Sequence, residues 1–460
     1  MTPIRVLRVL SGMALAVAAL TGPAAAQPTG ADPMAPRDPL PAPSGLRFTT
    51  PQEIGARDIT LDEAVAIALA NAPSIQNRAS SYLAAQQRVA QALSPLLPQV
   101  SGLWSGFENK TVASVASTTI PGRTTTVGTT ALSTQASLTA SQLLFDFGKN
   151  WAATDAAKAN SELARENVEL QKDLIVLAVK QSYFNQLFAS RLVVVNAQAV
   201  DRAELNLRSA KGFFEVGTRP RFDVTRAEVD VANARVSLIR AQNAVSLARI
   251  ALNTAMGIAV NAPTRLVDNL AYEPFRFDRD SLVAEALRRR PEYHQARFQV
   301  DGAEATLRQN FRNFFPDVVA SGTYGAARAD MNEIYSYGVQ LTWSIFDGGN
   351  KIARYKEAKA LLDAAKSNVR DTELTIWQQV EQGYNNLIAA EEQIGAAQKA
   401  VESAQENFRL SQGRFDAGVG TIIELTDAQL ALTQAQSTQA QALTDYRLAI
   451  AQLERNLGRR

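Results

Sequence analysis

Phe145-Asp146-Phe147-Gly148 and Phe346-Asp347-Gly348-Gly349 carry the same short motif 201 residues apart in a chain of 460. The offset holds downstream: Asn206–Gly217 matches Asn407–Gly418, and Gly257 matches Gly458. Upstream it changes. Pro73 pairs with Pro291 and Pro98 with Pro316, both 218 apart, so the first copy carries 17 extra residues between its second proline and its FD motif. Self-similarity at a fixed spacing signals one structural unit used twice. A single insertion between elements of otherwise constant length marks a tolerant loop. The body of the chain therefore reads as a first repeat over residues 58–270 and a second over 271–460.

The segments before the two FD motifs read as β-hairpins, about 98–145 and 316–346. In the second, Tyr335, Tyr337, Val339, Leu341, Trp343 and Ile345 alternate with Ser336, Gly338, Gln340, Thr342 and Ser344. In the first, Leu132, Ala136, Leu138 and Ala140 alternate with Ser133, Gln135, Ser137, Thr139 and Ser141. The returning partners are Val100–Phe107 and Val318–Gly325, and the Ser/Thr/Val-rich residues 109–130 fall between the first pair as its loop. Alternation over about ten residues fits a strand with lipid on one side and a polar lumen on the other. A soluble half-buried hairpin gives the same pattern. Trp104, Tyr324, Tyr335 and Trp343 near strand ends favour the membrane reading, since aromatic rings anchor at its interfaces.

The remainder is helix. Lys149–Lys211 and Asn350–Gln412 contain no proline and almost no glycine, and each would be about 93 Å long at the α-helical rise. In the second run Tyr355, Leu362, Val369 and Ile376 repeat at seven. After one four-residue step, Val380, Leu387, Ile394, Val401 and Phe408 continue the repeat. That is a coiled-coil seam with one stutter, echoed in the first half by Val179, Val193, Val200 and Leu207. Each long helix is matched by two shorter ones, Pro73–Leu93 with Pro220–Met256 and Pro291–Asn313 with Thr421–Asn456, stacked end to end. The fold class is mixed α and β: long antiparallel helices plus four strands. Four strands cannot close a barrel and open edges cannot sit in lipid, so protomers have to share one.

The first 26 residues open with Arg5 and Arg8, continue through the apolar Val9–Leu20 and end in Ala24-Ala25-Ala26, the pattern of a cleavable signal peptide. Residues 27–57 hold seven of the 18 prolines and read as an extended arm. Lys plus Arg number 47 against 45 Asp plus Glu, so composition gives no reason to expect nucleic acid as partner. There is no cysteine and one histidine, His294, which removes thiol catalysis, disulfides and most metal chemistry. His294 reads as a surface side chain, Gly348-Gly349 as a strand-to-helix turn, and Arg288-Arg289-Arg290 as a solvated helix end. No catalytic, cofactor or metal residue is identified.

These features together resemble the outer-membrane efflux protein family, the TolC-like proteins, over about residues 58–460. The resemblance rests on the repeat, the two FD motifs and two helix–turn–helix tips, Phe214-Glu215-Val216-Gly217-Thr218-Arg219-Pro220-Arg221-Phe222-Asp223-Val224 and Phe415-Asp416-Ala417-Gly418-Val419-Gly420-Thr421-Ile422-Ile423-Glu424-Leu425. It implies a homotrimer whose four strands per protomer make one 12-stranded barrel in the cell outer membrane, continued by a helical tunnel across the periplasm. It implies an exit duct for tripartite efflux or type I secretion, working with a periplasmic adaptor and an inner-membrane pump of RND or ABC type, without chemistry or cofactor of its own. Residues 27–57 and 258–279 are then expected to form a mid-tunnel collar, since the sequence ends two residues after Gly458.

By the same resemblance the tips gate the periplasmic entrance. Glu424 and Asp427 match an acidic ring, Phe415 matches an aromatic gate residue that is often tyrosine, and Asp223 matches the acidic partner in the first tip. Gly420 stands where some relatives have an arginine, and Arg226, the first-half counterpart of Asp427, could pair with an acid instead. From the residues alone, Glu424 and Asp427 share a face of the first helical turn, which serves a pore ring or an ordinary helix cap. A periplasmic coiled-coil adaptor stays open as a second function, and a carboxylate-only hydrolase as a formal third.

Overall fold

The computed structural model describes residues 58–116, 124–275, 279–327 and 332–460, with the side chains of 113–116, 124–127, 129, 131, 132 and 280 left aside. The expected signal peptide and proline-rich arm lie outside the described residues. The chain runs β1 (Asp58–Ile59), α1 (Leu61–Asn71), α2 (Pro73–Leu93), β2 (Gln99–Ala116), β3 (Thr124–Phe145), α3 (Lys149–Glu215) and α4 (Arg221–Ala255). It then repeats the series as β4 (Arg265–Leu266), α5 (Arg279–Arg289), α6 (Pro291–Arg312), β5 (Asp317–Ala327), β6 (Asn332–Thr342), α7 (Asn350–Asp416) and α8 (Ile422–Asn456). Both long helices have 67 residues, about 100 Å of rise. No described helix is long and apolar enough to cross a membrane.

Local chemistry sets the ends of these elements. Pro73 and Pro291 occupy first helical positions, where a missing N–H costs nothing. The FD motifs are helix caps. Asp146 accepts from the backbone N–H of Gly148 at 2.9 Å and of Asn150 at 2.7 Å, and Asp347 accepts from that of Lys351 at 3.1 Å. Gly148 and Gly349 take φ of 80° and 87°, a turn that a side chain would strain. A carboxylate at the positive end of a helix this long is electrostatically well placed.

The seam is real. Ile376, Val380, Leu387 and Ile394 of α7 are buried against Tyr446, Ile450 and Leu453 of α8, and Leu362, farther along α7, is buried too. In the first repeat Ile175, Val179, Tyr183 and Leu187 of α3 pack on α1 and on Leu252 and Met256. The short helices do meet end to end. A Cβ on Gly257 would lie 3.2 Å from the Asn71 carbonyl, where α4 abuts the α1–α2 joint, and one on Gly458 would lie 2.9 Å from Arg289, where α8 abuts the α5–α6 joint. The mid-chain segments 58–59 and 265–266 pair as parallel strands, and the Tyr183 hydroxyl donates to the Val267 carbonyl beyond them at 2.8 Å. Burial, with Asp268, Asp62 and Glu63 nearby, pushes that phenol up to about 12, so it remains a donor.

The four long strands form one antiparallel sheet in the order β2-β3-β5-β6. One face carries Val100, Trp104, Leu138, Tyr324, Tyr337 and Leu341, and the other carries Ser101, Ser105, Thr139, Thr323, Ser336 and Gln340. The Thr139 and Thr323 hydroxyls are 3.0 Å apart on the polar face.

Three expectations need correction. Residues 109–130 are not all loop: the ladder continues from Asn109↔Ala131 to Ala116↔Thr124, so the insertion lengthens the hairpin. β6 ends at Thr342, and Trp343 to Ile345 lie beyond the ladder. Arg290 is not solvated. It is 3% exposed, donates to both Glu292 oxygens at 3.2 and 2.7 Å and reaches Gln379 at 2.7 Å, while Arg288 and Arg289 do face solvent. Two helices, α1 and α5, were not read from the sequence at all.

Candidate functional site

The two helix–turn–helix tips come together at one end of the helices. Each long helix stops at a glycine with positive φ, Gly217 at 74° and Gly418 at 77°. The N–H groups of Thr218 and Val419 donate back to the carbonyls of Phe213 and Arg414, at 2.9 and 3.0 Å. That is the left-handed C-cap that glycine adopts without steric cost. The second tip then restarts on Thr421, whose hydroxyl accepts from the Glu424 N–H at 3.2 Å.

A small core joins the tips: Ala210, Ala227, Phe415, Ile422 and Leu425, flanked by Phe213 and Val224. Phe415 is fully buried at 0% exposure, edge-on to Phe213 with centroids 5.8 Å apart. Asp223 is buried beside it. What ties them is Arg219, which the sequence reading passed over. Its guanidinium lies 4.5 Å from the centre of the Phe415 ring and 3.5 Å from the Asp223 carboxylate. One nitrogen donates to the carbonyl of Gly420 at 2.7 Å and to that of Phe415 at 3.3 Å. Gly420 is pressed against the end of α7, where a Cβ would be 3.0 Å from the Arg414 and Phe415 backbone. Of the matched residues, Phe415 and Asp223 thus meet through an arginine supplied by the first tip, facing the glycine of the second.

The other three sit apart from that core. Arg226 is 3.8 Å from Asp230, one turn along its own helix. Asp230 in turn accepts from the Thr426 hydroxyl at 2.8 Å, linking α4 to α8. Glu424 is exposed and 3.7 Å from Arg414, while Asp427 is exposed with no ion pair among the described residues. Both acids therefore have water-facing carboxylates on one helical turn. His294 is partly buried, with Nε2 3.0 Å from the Arg288 carbonyl oxygen. Among the described residues no cluster of three or more His, Asp or Glu could hold a metal.

The sequence signal for Arg219 was there in principle. Arg219 and Gly420 occupy the same place in the two copies, 201 residues apart, and differ as much as two residues can. Such a divergence inside an otherwise matched tip points to two complementary roles.

Comparison with known proteins agrees with this architecture. The family model for outer membrane efflux proteins matches residues 64–258 and 282–459. The probable efflux pump outer membrane protein TtgC of Pseudomonas putida is 26% identical over 394 residues, covering 81% of this chain and 76% of its own. Outer membrane protein TolC of Escherichia coli is 25% identical over 407 residues, covering 84% and 79%. The crystal structure of VceC from Vibrio cholerae superposes with a TM-score of 0.74 at 18% identity, over 86% of this chain and 96% of that one. With repeat, caps, sheet and tips all in place, this chain belongs to the outer membrane efflux protein family.

Proposed function

We propose that three copies of this chain form one outer-membrane exit duct for a tripartite efflux or type I secretion system. The observation that carries the reading is the four-stranded sheet, apolar on one face, polar on the other and open along both β2 and β6. Lipid tolerates no unpaired strand edge, and the apolar face needs a hydrocarbon partner. Closing β6 of one copy on β2 of the next removes every edge, and three copies give twelve strands. The helices then continue the lumen into the periplasm, and the chain divides into repeats 58–270 and 271–460 around it. Family membership and the efflux-pump names of relatives support the role. A periplasmic adaptor and an inner-membrane pump are the partners, and the duct itself performs no reaction.

At the tips, the exposed Glu424 and Asp427 of three copies would gather around the threefold axis and favour cations. Their competing use, as a cap and dipole partner for α8, needs no ring. The test is light scattering of the detergent-extracted protein followed by bilayer recording. A trimer with cation-selective conductance, weakened in the double variant Glu424→Ala, Asp427→Ala, is the expected result. A stable monomer overturns the duct. Unchanged selectivity in the double variant overturns the ring alone.

A further inference from the structure

The polar face of the sheet carries apolar side chains at a few positions, and on β2 two of them, Leu103 and Phe107, are more than half exposed. Along β2 the even-numbered Val100 and Trp104 share the apolar face, and Ser101, Leu103, Ser105 and Phe107 share the polar one. The register places Leu103 opposite Ser137 and Phe107 opposite Ser133. A shift in the ladder would move both residues to the other face. None occurs between β2 and β3, whose pairs run unbroken from Gln99↔Ser141 to Ala116↔Thr124. Neither side chain is packed on this protomer: Leu103 is 56% and Phe107 62% exposed. Their opposite neighbours are serines, too small to cover a leucine or a phenyl ring. On β6, which would flank β2 in the closed barrel, the polar-face residues are Ile334, Ser336, Gly338 and Gln340, so Ile334 alone adds apolar surface on that side.

We propose that Leu103, inside the lumen, and Phe107, one same-face pair beyond the last four-stranded row at the outer rim, form an apolar girdle that the apolar part of amphipathic small molecules touches on the way out. The inference rests on the shared-barrel reading given above. Twelve strands spaced 4.8 Å apart and tilted by about 40° enclose a backbone radius of about 12 Å. Three phenyl rings do not seal such an opening. They make a sticky band in a hydroxyl-lined passage, slowing solutes with hydrocarbon surface and leaving small ions free. The position also suits it: Phe107 lies just below the charged Glu108 and Lys110, where the hairpin leaves the apolar band.

The chain has no cysteine, so a single introduced thiol is its only reactive one. In reconstituted bilayers, Phe107→Cys should react with a charged, water-soluble methanethiosulfonate and its conductance should fall in up to three steps. Leu103→Cys provides a second position on the same face. Trp104→Cys, on the opposite face, should resist that reagent and react with a membrane-soluble maleimide. Tetrabutylammonium, a small ion with apolar arms, should block the native channel transiently. Phe107→Ser should shorten those blocks about tenfold, the scale of a lost phenyl contact, and Phe107→Leu should largely preserve them. Channels that conduct normally while the Phe107→Cys thiol stays inert, or whose blocks are unchanged in Phe107→Ser, overturn the girdle and leave the duct standing. No conductance from the native protein, with Phe107→Cys and Trp104→Cys equally reactive from water, overturns the duct and the girdle with it.

Discussion

Arg219 meets four partners of three kinds, an aromatic face, a carboxylate and two backbone carbonyls, with only 13% of its side chain exposed. A planar guanidinium serves all of them at once, and an ammonium does not. Removing it strands the buried Asp223 and takes the donor from two carbonyls, a cost of about 1–3 kcal/mol. Arg219→Ala is therefore expected to loosen the contact between the tips and to raise single-channel conductance, with Arg219→Lys intermediate. Equal conductance in all three proteins would leave Arg219 as packing only. The sequence pointed to Phe415 and Asp223 but not to Arg219, because carbonyl oxygens carry no residue identity. Two of its partners are backbone, and only the Arg219/Gly420 asymmetry between the copies hints at them.

The joint between α5 and α6 shows how an element boundary acquires chemistry. Pro291 starts α6, and the preceding Arg290 turns inward to Glu292, which Arg455 of α8 also reaches at 2.7 Å. Burial alone would raise the Glu292 carboxyl. The hydrogen bond and charge of Arg290, with Arg455 adding to them, outweigh burial and hold it below the usual carboxylate range. Glu285 is likewise held low by its hydrogen bond from Arg459, whereas burial keeps Asp173 above its ordinary value despite Arg460. A carboxyl lower in the folded state than in the unfolded one adds stability above its unfolded value, about pH 4.3, and loses it as the pH falls through the folded value. Asp173 works in the opposite direction and offsets part of the loss. The thermal midpoint should drop below about pH 5, and Glu292→Gln should be less stable at pH 7 yet flatter in acid. Parallel midpoint curves would remove Glu292 from that role. Proline and glycine made most helix ends legible in the sequence. The sense of Arg290 was not, since a run of three arginines looks alike whether its last member is solvated or buried.

Across the whole molecule, the sheet is narrower than its longest hairpin. β3 pairs with β5 only from Gln135 onward, so the stretch of β2 and β3 from Gly106↔Thr134 to Ala116↔Thr124 is a two-stranded ribbon beyond the four-stranded part. Its Ser/Thr-rich sequence lacks the apolar alternation of a membrane strand, which is why it read as loop. Backbone pairing, not side-chain pattern, defines it. Since a transmembrane strand needs only about 9–11 residues, joining Lys110 to Thr130 by a two-residue turn should leave the oligomer and its conductance intact. Loss of the oligomer would place assembly contacts in the ribbon. Repeat, long helices and hairpins were all readable because periodicity and spacing are properties of the chain. The contact between the tips was not, because it belongs to two places in sequence at once. That contact also fixes how the chain can be inherited. Arg219 grips the carbonyl of the residue that stands in its own place one repeat later, and a Cβ on Gly420 would crowd the end of the second long helix at 3.0 Å. A gene encoding the first half twice would press an arginine side chain against the end of the second long helix, where even a Cβ is crowded. The two halves are complementary at this point, and a copy of one does not simply stand in for the other.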